Sequence, residues 1–148
     1  RRKVIGIDID IRAHNRKEIE NHPLQNKIQL VEGSSIDSEI INRVHDFSKG
    51  SKNTMVFLDS NHTEEHVFKE LNAYAPLVTK GSYCIVFDTV IANMPEDSFP
   101  DRSWGKDNNP MSALFKWLEN NPGFEIDKSI DKKLLISVNP CGYVKRKE

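Results

Sequence analysis

Three apolar runs in this chain stop at an aspartate. Thr54-Met55-Val56-Phe57-Leu58-Asp59 is followed by Ser60-Asn61-His62, Tyr83-Cys84-Ile85-Val86-Phe87-Asp88 is followed by Thr89, and Val4-Ile5-Gly6-Ile7 leads to Asp8. In an open α/β sheet, ligands bind outside the carboxyl ends of the strands. Asp59 and Asp88 there can supply the oxygen ligands that a hard cation such as Mg²⁺ takes, with waters completing its shell. His62, three residues past Asp59, is the candidate general base, because an unperturbed imidazole titrates near neutral pH. Asp8 stands where nucleotide-binding sheets commonly grip a ribose hydroxyl. Each has a plainer alternative: a strand-end aspartate can cap the next helix, and a histidine in a first helical turn can be a surface residue.

A competing motif overlaps. His62-Thr63-Glu64-Glu65-His66 matches the inverted zinc-protease pattern H-x-x-E-H, and histidines four apart share one face of a helix. That reading makes the chain a zinc metallohydrolase using His62, Glu65 and His66. Gly33-Ser34-Ser35 follows a strand and either faces the base of a nucleotide or is a plain turn with Ser35 capping a helix. No G-x-G-x-x-G loop is present to wrap a cofactor tail. The first strand and glycine loop of a nucleotide-binding fold are therefore expected upstream of Arg1.

These residues need elements to place them, and strands alternate with helices. Val4–Asp8 reads as a strand, His14 to Asn21 as a short polar helix stopped by Pro23, and Lys27–Glu32 as a strand. Ile36, Ile40, Ile41, Val44 and Phe47 form a stripe at helical period. Met55–Leu58 reads as a central strand buried on both faces. Asn61 is placed to cap the next helix with Glu64 in a capping box, and that helix buries Val67, Leu71 and Tyr74. Tyr83–Phe87 is another apolar strand. The aperiodic stretch from Ile91 to Asn109 holds Phe99 and Trp104, which favours an ordered lid. Asn109-Pro110 restarts a helix burying Leu114, Trp117 and Leu118. Strands are expected near Phe124–Asp127 and Lys133–Val138, close enough to form an antiparallel hairpin. The class is α/β with a mainly parallel sheet.

The chain has 148 residues, 37% hydrophobic and 29% charged, with a formal charge of −1. This suits one domain over residues 1–148 and offers no basic field for nucleic acid. Lys145-Arg146-Lys147 reads as a solvated tail. Cys84 and Cys141 make no disulfide framework, and Cys84 reads as a buried reduced thiol. No run approaches the roughly 20 apolar residues of a membrane span and no secretory signal is visible, so the cytoplasm is the expected location.

Val4 through Arg12, Glu32-Gly33-Ser34-Ser35, Leu58 through Thr63, Phe87-Asp88-Thr89-Val90, and the segment from Phe99-Pro100-Asp101-Arg102 to Asn108-Asn109-Pro110 together resemble the cephalosporin-hydroxylase-like family, which includes rhamnosyl O-methyltransferase relatives. The resemblance covers nearly the whole chain. It implies a Rossmann-like class I methyltransferase sheet from its second strand onward, with S-adenosylmethionine as cofactor. The intact strand order would be 3-2-1-4-5-7-6, with Val4–Ile7 not paired to Val56–Leu58. It further implies that Asp8 binds the cofactor ribose, Ser35 approaches the adenine, and Asp59 and Ser60 complete the cofactor contacts. Asp59, Asp88 and Thr89 would hold Mg²⁺ or another divalent cation, Thr89 replacing the asparagine of cation-dependent relatives and Phe87 a frequent glutamate. His62 falls where catechol-type enzymes carry a catalytic lysine. The implied activity is O-methylation of a small-molecule acceptor, possibly a sugar, with a homo-oligomer possible. A metallohydrolase and a non-catalytic α/β fragment are the alternatives.

Overall fold

A computed structural model describes residues 2–147. Its contacts divide the chain into two units, Arg1–Lys49 and Gly50–Glu148.

The first unit alternates β1 (Val4–Asp8), α1 (Ala13–Glu20), β2 (Ile28–Glu32) and α2 (Ser38–Ser48). The two strands pair in parallel from Val4↔Ile28 to Asp8↔Glu32. Helix α1 buries no residue, and its Arg16 reaches Glu32 at 2.7 Å. Helix α2 buries Ile40 and Val44 from the predicted stripe. Gly33 is required where β2 turns into α2. Its φ is +146°, which L side chains rarely adopt, and a Cβ there would lie 2.9 Å from Ile40 Cδ1, so a side chain would strain the turn and displace the Ile40 side chain. The cap of α2 is Asp37, not Ser35 as expected, because a turn at Ser34–Asp37 delays the helix.

The second unit holds β3 (Val56–Leu58), α3 (Glu64–Tyr74), β4 (Tyr83–Val86), α4 (Pro110–Leu118), β5 (Phe124–Ile126), α5 (Lys128–Leu134) and β6 (Tyr143–Arg146). Its sheet runs β3-β4-β6-β5. β3 and β4 are parallel, while β6 is antiparallel to both neighbours. This is the 4-5-7-6 portion of the expected order, and β1 pairs with β2 rather than with β3.

Helices α3 and α4 pack together, burying Val67, Leu71, Tyr74, Leu114 and Trp117 over Cys84, Val86 and Val144. Each large apolar side chain so buried contributes about 1.5–3 kcal/mol. Trp117 Nε1 donates to Asn72 Oδ1 at 3.2 Å, which satisfies its polar atom. The Cys84 thiol is free and fully buried, and burial pushes its pKa up to about 12. At Gly142 a Cβ would lie 2.2 Å from the Val86 carbonyl oxygen. That close approach lets the Val86 N–H donate to Gly142 O at 2.9 Å.

Several expectations are corrected. Lys133–Val138 is not a strand. Asp127 accepts from Ser129 N–H and starts α5 in its place, and Leu135 and Ile136 are left 87% and 92% exposed. The antiparallel partner of β5 is β6, so Lys145 and Arg146 are strand residues, not a solvated tail. The Arg146 guanidinium donates to Pro76 O at 2.9 Å and Val78 O at 2.6 Å. β3 is an edge strand in its sheet, not a central one, and Phe57 is 59% exposed. Leu118 is half-buried. Among the described residues no helix is long and apolar enough to cross a membrane.

Candidate active site

The site is assembled by the parallel pairing of β3 and β4. Their register, Leu58↔Val86, brings the two strand ends side by side. Phe87 N–H then donates to Leu58 O at 2.9 Å, carrying the pairing one residue further. Asp59 and Asp88 emerge from that end.

Asp88 has φ 54° and ψ 26°. Left-handed backbone is uncommon for a residue with a side chain, though aspartate tolerates it better than most. Such strain persists only where the surroundings impose it, and it clusters at functional sites. Here the constraint is Asn139, 4% exposed, whose Oδ1 accepts the Asp88 N–H at 3.1 Å. Thr89 goes the other way. It is fully buried, and its hydroxyl donates to Pro140 O at 2.7 Å. The structure therefore does not bring Thr89 to the carboxylates as a metal ligand; its hydroxyl fastens the start of the segment after β4.

His62 lies before α3, not within it. Asn61 Oδ1 accepts from Thr63 N–H at 2.9 Å, and Thr63, not the expected Asn61, caps the helix through His66 N–H. The resulting turn aims His62 back at the strand ends. Its Nε2 is 3.1 Å from Asp88 Oδ2 and 3.7 Å from Asp59 Oδ1, with the imidazole 19% exposed. One ligand atom from each of Asp59, His62 and Asp88 lies within 4.8 Å of the other two. The approach to Asp88 is close but not aligned as a hydrogen bond, and His62 Nε2 is buried without such a partner among the described residues. An orphaned imidazole nitrogen facing two carboxylates can ligate a cation or accept a proton. The two carboxylate oxygens, with waters completing the shell, suit Mg²⁺ or Mn²⁺ better than a thiol-seeking metal. The donor set therefore fits a divalent cation.

The H-x-x-E-H motif does not assemble. Glu65 is exposed and paired with Lys69 at 2.6 Å. His66 Nε2 points toward Glu70 Oε1 at 3.6 Å. Because α3 starts at Glu64, His62 and His66 do not occupy one helical face. The zinc metallohydrolase reading loses its ligands.

Ser60 is exposed, yet its hydroxyl donates inward to Glu70 Oε1 at 2.7 Å, leaving only acceptor lone pairs for a cofactor. Asp8 and Ser35 belong to the first unit. Asp8 ends β1, exposed, with Oδ1 accepting from Asp10 N–H at 3.0 Å, and lines an open groove with Gly6, Ile11, Asn15 and Leu30. Ser35 is half-buried in the turn before α2.

Sequence reasoning missed the wall beside His62. Trp104 meets the imidazole edge-on, ring centroids 5.1 Å apart at 80°, and the Arg102 guanidinium lies 5.1 Å from the Trp104 centroid. Asn108 ties this loop down: its Oδ1 accepts Glu64 N–H at 2.8 Å and its Nδ2 donates to Ser103 O at 2.6 Å. The aperiodic aromatic stretch was the available signal for Trp104. Asn139 gave none.

The family described as rhamnosyl O-methyltransferase/CmcI matches residues 1–147. No curated protein matches the chain in sequence. Among solved structures, MycE methyltransferase from the mycinamycin biosynthetic pathway, in complex with Mg and SAH, is similar with a TM-score of 0.51 and 20% identity, over 80% of this chain and 28% of that one. The complex of MycE with Mg, SAH and mycinamycin VI gives a TM-score of 0.52 and 19% identity, over 80% and 29%. This chain thus spans less than a third of the length of those proteins. At such identity the likeness shows the fold, the α/β arrangement of a Rossmann-like methyltransferase.

Proposed function

Because the chain belongs to the rhamnosyl O-methyltransferase/CmcI family, we propose that it is the site-bearing part of an S-adenosylmethionine-dependent O-methyltransferase. Its acceptor is a hydroxyl of a sugar or another small polar metabolite, and a divalent cation assists. The observation that carries this reading is the meeting of Asp59, His62 and Asp88, with His62 Nε2 lacking a hydrogen-bond partner among the described residues. The bound SAH and Mg of the MycE complexes support the choice of cofactor and cation.

When bound, S-adenosylmethionine supplies an electrophilic sulfonium methyl, and a cation lowers the pKa of a nearby hydroxyl. Asp59 and Asp88 are the residues that would hold that cation. His62 Nε2 accepts the proton the acceptor hydroxyl loses as its oxygen bonds the methyl. Trp104 fixes the imidazole plane and shields it from bulk water. Much of the rate comes from holding the reactants together in line. Within the second unit, Ser60 is assigned to the cofactor.

The test is transfer of labelled methyl from S-adenosylmethionine to a panel of glycosides and other hydroxylated metabolites, with Mg²⁺ and with a chelator. Mg²⁺-dependent labelling of a hydroxyl is expected. Labelling that ignores the chelator removes the cation from the reading, and absence of both cofactor binding and labelling overturns it.

A further inference from the structure

Glu70 is a buried carboxylate that the proposed chemistry does not use. It lies in the middle of α3 and is 2% exposed. Burying a carboxylate is unfavourable unless its oxygens are satisfied, and only one of them is. Oε1 accepts the Ser60 hydroxyl at 2.7 Å and lies 3.6 Å from His66 Nε2, while Oε2 has no hydrogen-bond partner among the described residues. An apolar side chain at this point of the core would avoid that cost. What the carboxylate adds is a grip on Ser60, the residue directly after Asp59 and two before His62. The rest of this turn is held by the contact of Asn61 with Thr63 and by the Thr63 cap, both downstream of Asp59.

We propose that Glu70 is a positioning residue: through Ser60 it fixes the β3–α3 turn so that Asp59 and His62 meet Asp88. The proposal rests on the reading of those three as the reacting cluster. Glu70 touches none of them. The Tyr74 hydroxyl and Cys84 thiol are pushed up first by burial and then by Glu70. The role follows from geometry. A glutamine at position 70 keeps an acceptor oxygen for Ser60 and preserves the turn, whereas losing either end of the Ser60–Glu70 bond releases it.

The experiment uses the full chain with Ser60→Ala, Glu70→Gln and Glu70→Ala. Mn²⁺ binding is measured by calorimetry, and the His62 imidazole resonances are recorded without metal. Removing a partner that orients a metal ligand typically weakens affinity by about 10–100-fold. That loss is expected for Ser60→Ala and Glu70→Ala, with shifted or broadened His62 resonances, while Glu70→Gln stays close to the parent. Should Glu70→Ala fail to fold, Ser60→Ala still decides the matter, because it removes only the hydroxyl of an exposed residue and leaves no core cavity. Unchanged His62 resonances in Ser60→Ala overturn the positioning role whatever the metal does. Failure of the parent chain to bind Mn²⁺ while Ser60→Ala still disturbs His62 overturns the cation reading and leaves the tether standing.

Discussion

At the residue scale the site depends on one nitrogen and two carboxylates. His62 Nε2 is 3.1 Å from Asp88 Oδ2 without an aligned hydrogen bond, and in the proposed reading it takes the substrate proton. His62→Ala is expected to slow methyl transfer by about 10²–10⁴-fold while calorimetry finds S-adenosylmethionine binding unchanged. His66→Ala, whose imidazole points toward Glu70, should leave transfer near the parent rate; equal losses from both would return the H-x-x-E-H reading to contention. Trp104 belongs to the same scale. It contacts the imidazole by its ring edge, and Trp104→Ala is expected to raise KM for the acceptor more than the cofactor Kd. Equal effects on both would remove it from the acceptor side. The carboxylates could be found in the sequence because, in a parallel α/β sheet, the residue ending a strand has its place set by topology. Thr89 could not be placed that way. One peptide beyond Asp88, the left-handed backbone rotates its hydroxyl toward Pro140, and nothing local in Asp88-Thr89 announces the turn.

At the scale of elements, capping decides where helices begin. Asn109 is 1% exposed and closes a capping box on α4 with Ser112, while its Nδ2 donates to Gly105 O and Lys106 O. Asn109→Ala removes the cap and strands those carbonyls, so unfolding in denaturant should show a loss of about 2 kcal/mol, the upper end for caps. The start of α4 was readable because Asn-Pro is a strong local signal; the final strand was not. Apolar residues at Leu134–Ile136 suggested a strand, but the Asp127 cap commits the chain to α5, and the strand forms from Tyr143–Arg146, whose charged side chains resembled a tail. That strand is braced by Tyr83 on β4, whose hydroxyl donates to Asp127 Oδ2 at 2.8 Å. Hydrogen bonds from Ser129 and then Tyr83 hold the Asp127 carboxyl below its ordinary range, and the bond to Asp127 pushes the Tyr83 hydroxyl up. A lowered folded pKa means the Asp127 contribution is present above the unfolded value and lost as pH falls through the folded one. The Tyr83 contribution, its pKa raised, is lost instead as pH rises past the ordinary tyrosine range. Tyr83→Phe should move the Asp127 pKa part of the way back up, read by carboxyl NMR, since Ser129 remains. No movement would show that Ser129 alone holds it.

At the scale of the molecule, burial is unevenly shared. Among the described residues of the first unit the buried apolar side chains are Val31, Ile40 and Val44, of which Val31 alone is fully buried, and α1 buries nothing. In the second, α3 and α4 close over β4 and β6, with Leu71, Val78, Cys84, Val86, Leu114 and Val144 at 0% exposure. Alternation of strands and helices was enough to give the α/β class, because hydrophobic period is a local property. The strength of each part was not legible, because it depends on which faces find partners: the α2 stripe read as well as the α3 stripe, and its helix packs less. Local opening is easiest where buried apolar contacts are few. Hydrogen exchange should therefore be slowest at the amides of Leu71, Val86 and Val144. It should be fastest in α1, where backbone bonds, the half-buried Ile19 and the exposed Arg16–Glu32 pair, a contact of about 0–1 kcal/mol, resist opening. Protection of α1 amides equal to that of α3 would mean that first-unit stability comes from contacts other than its own buried side chains.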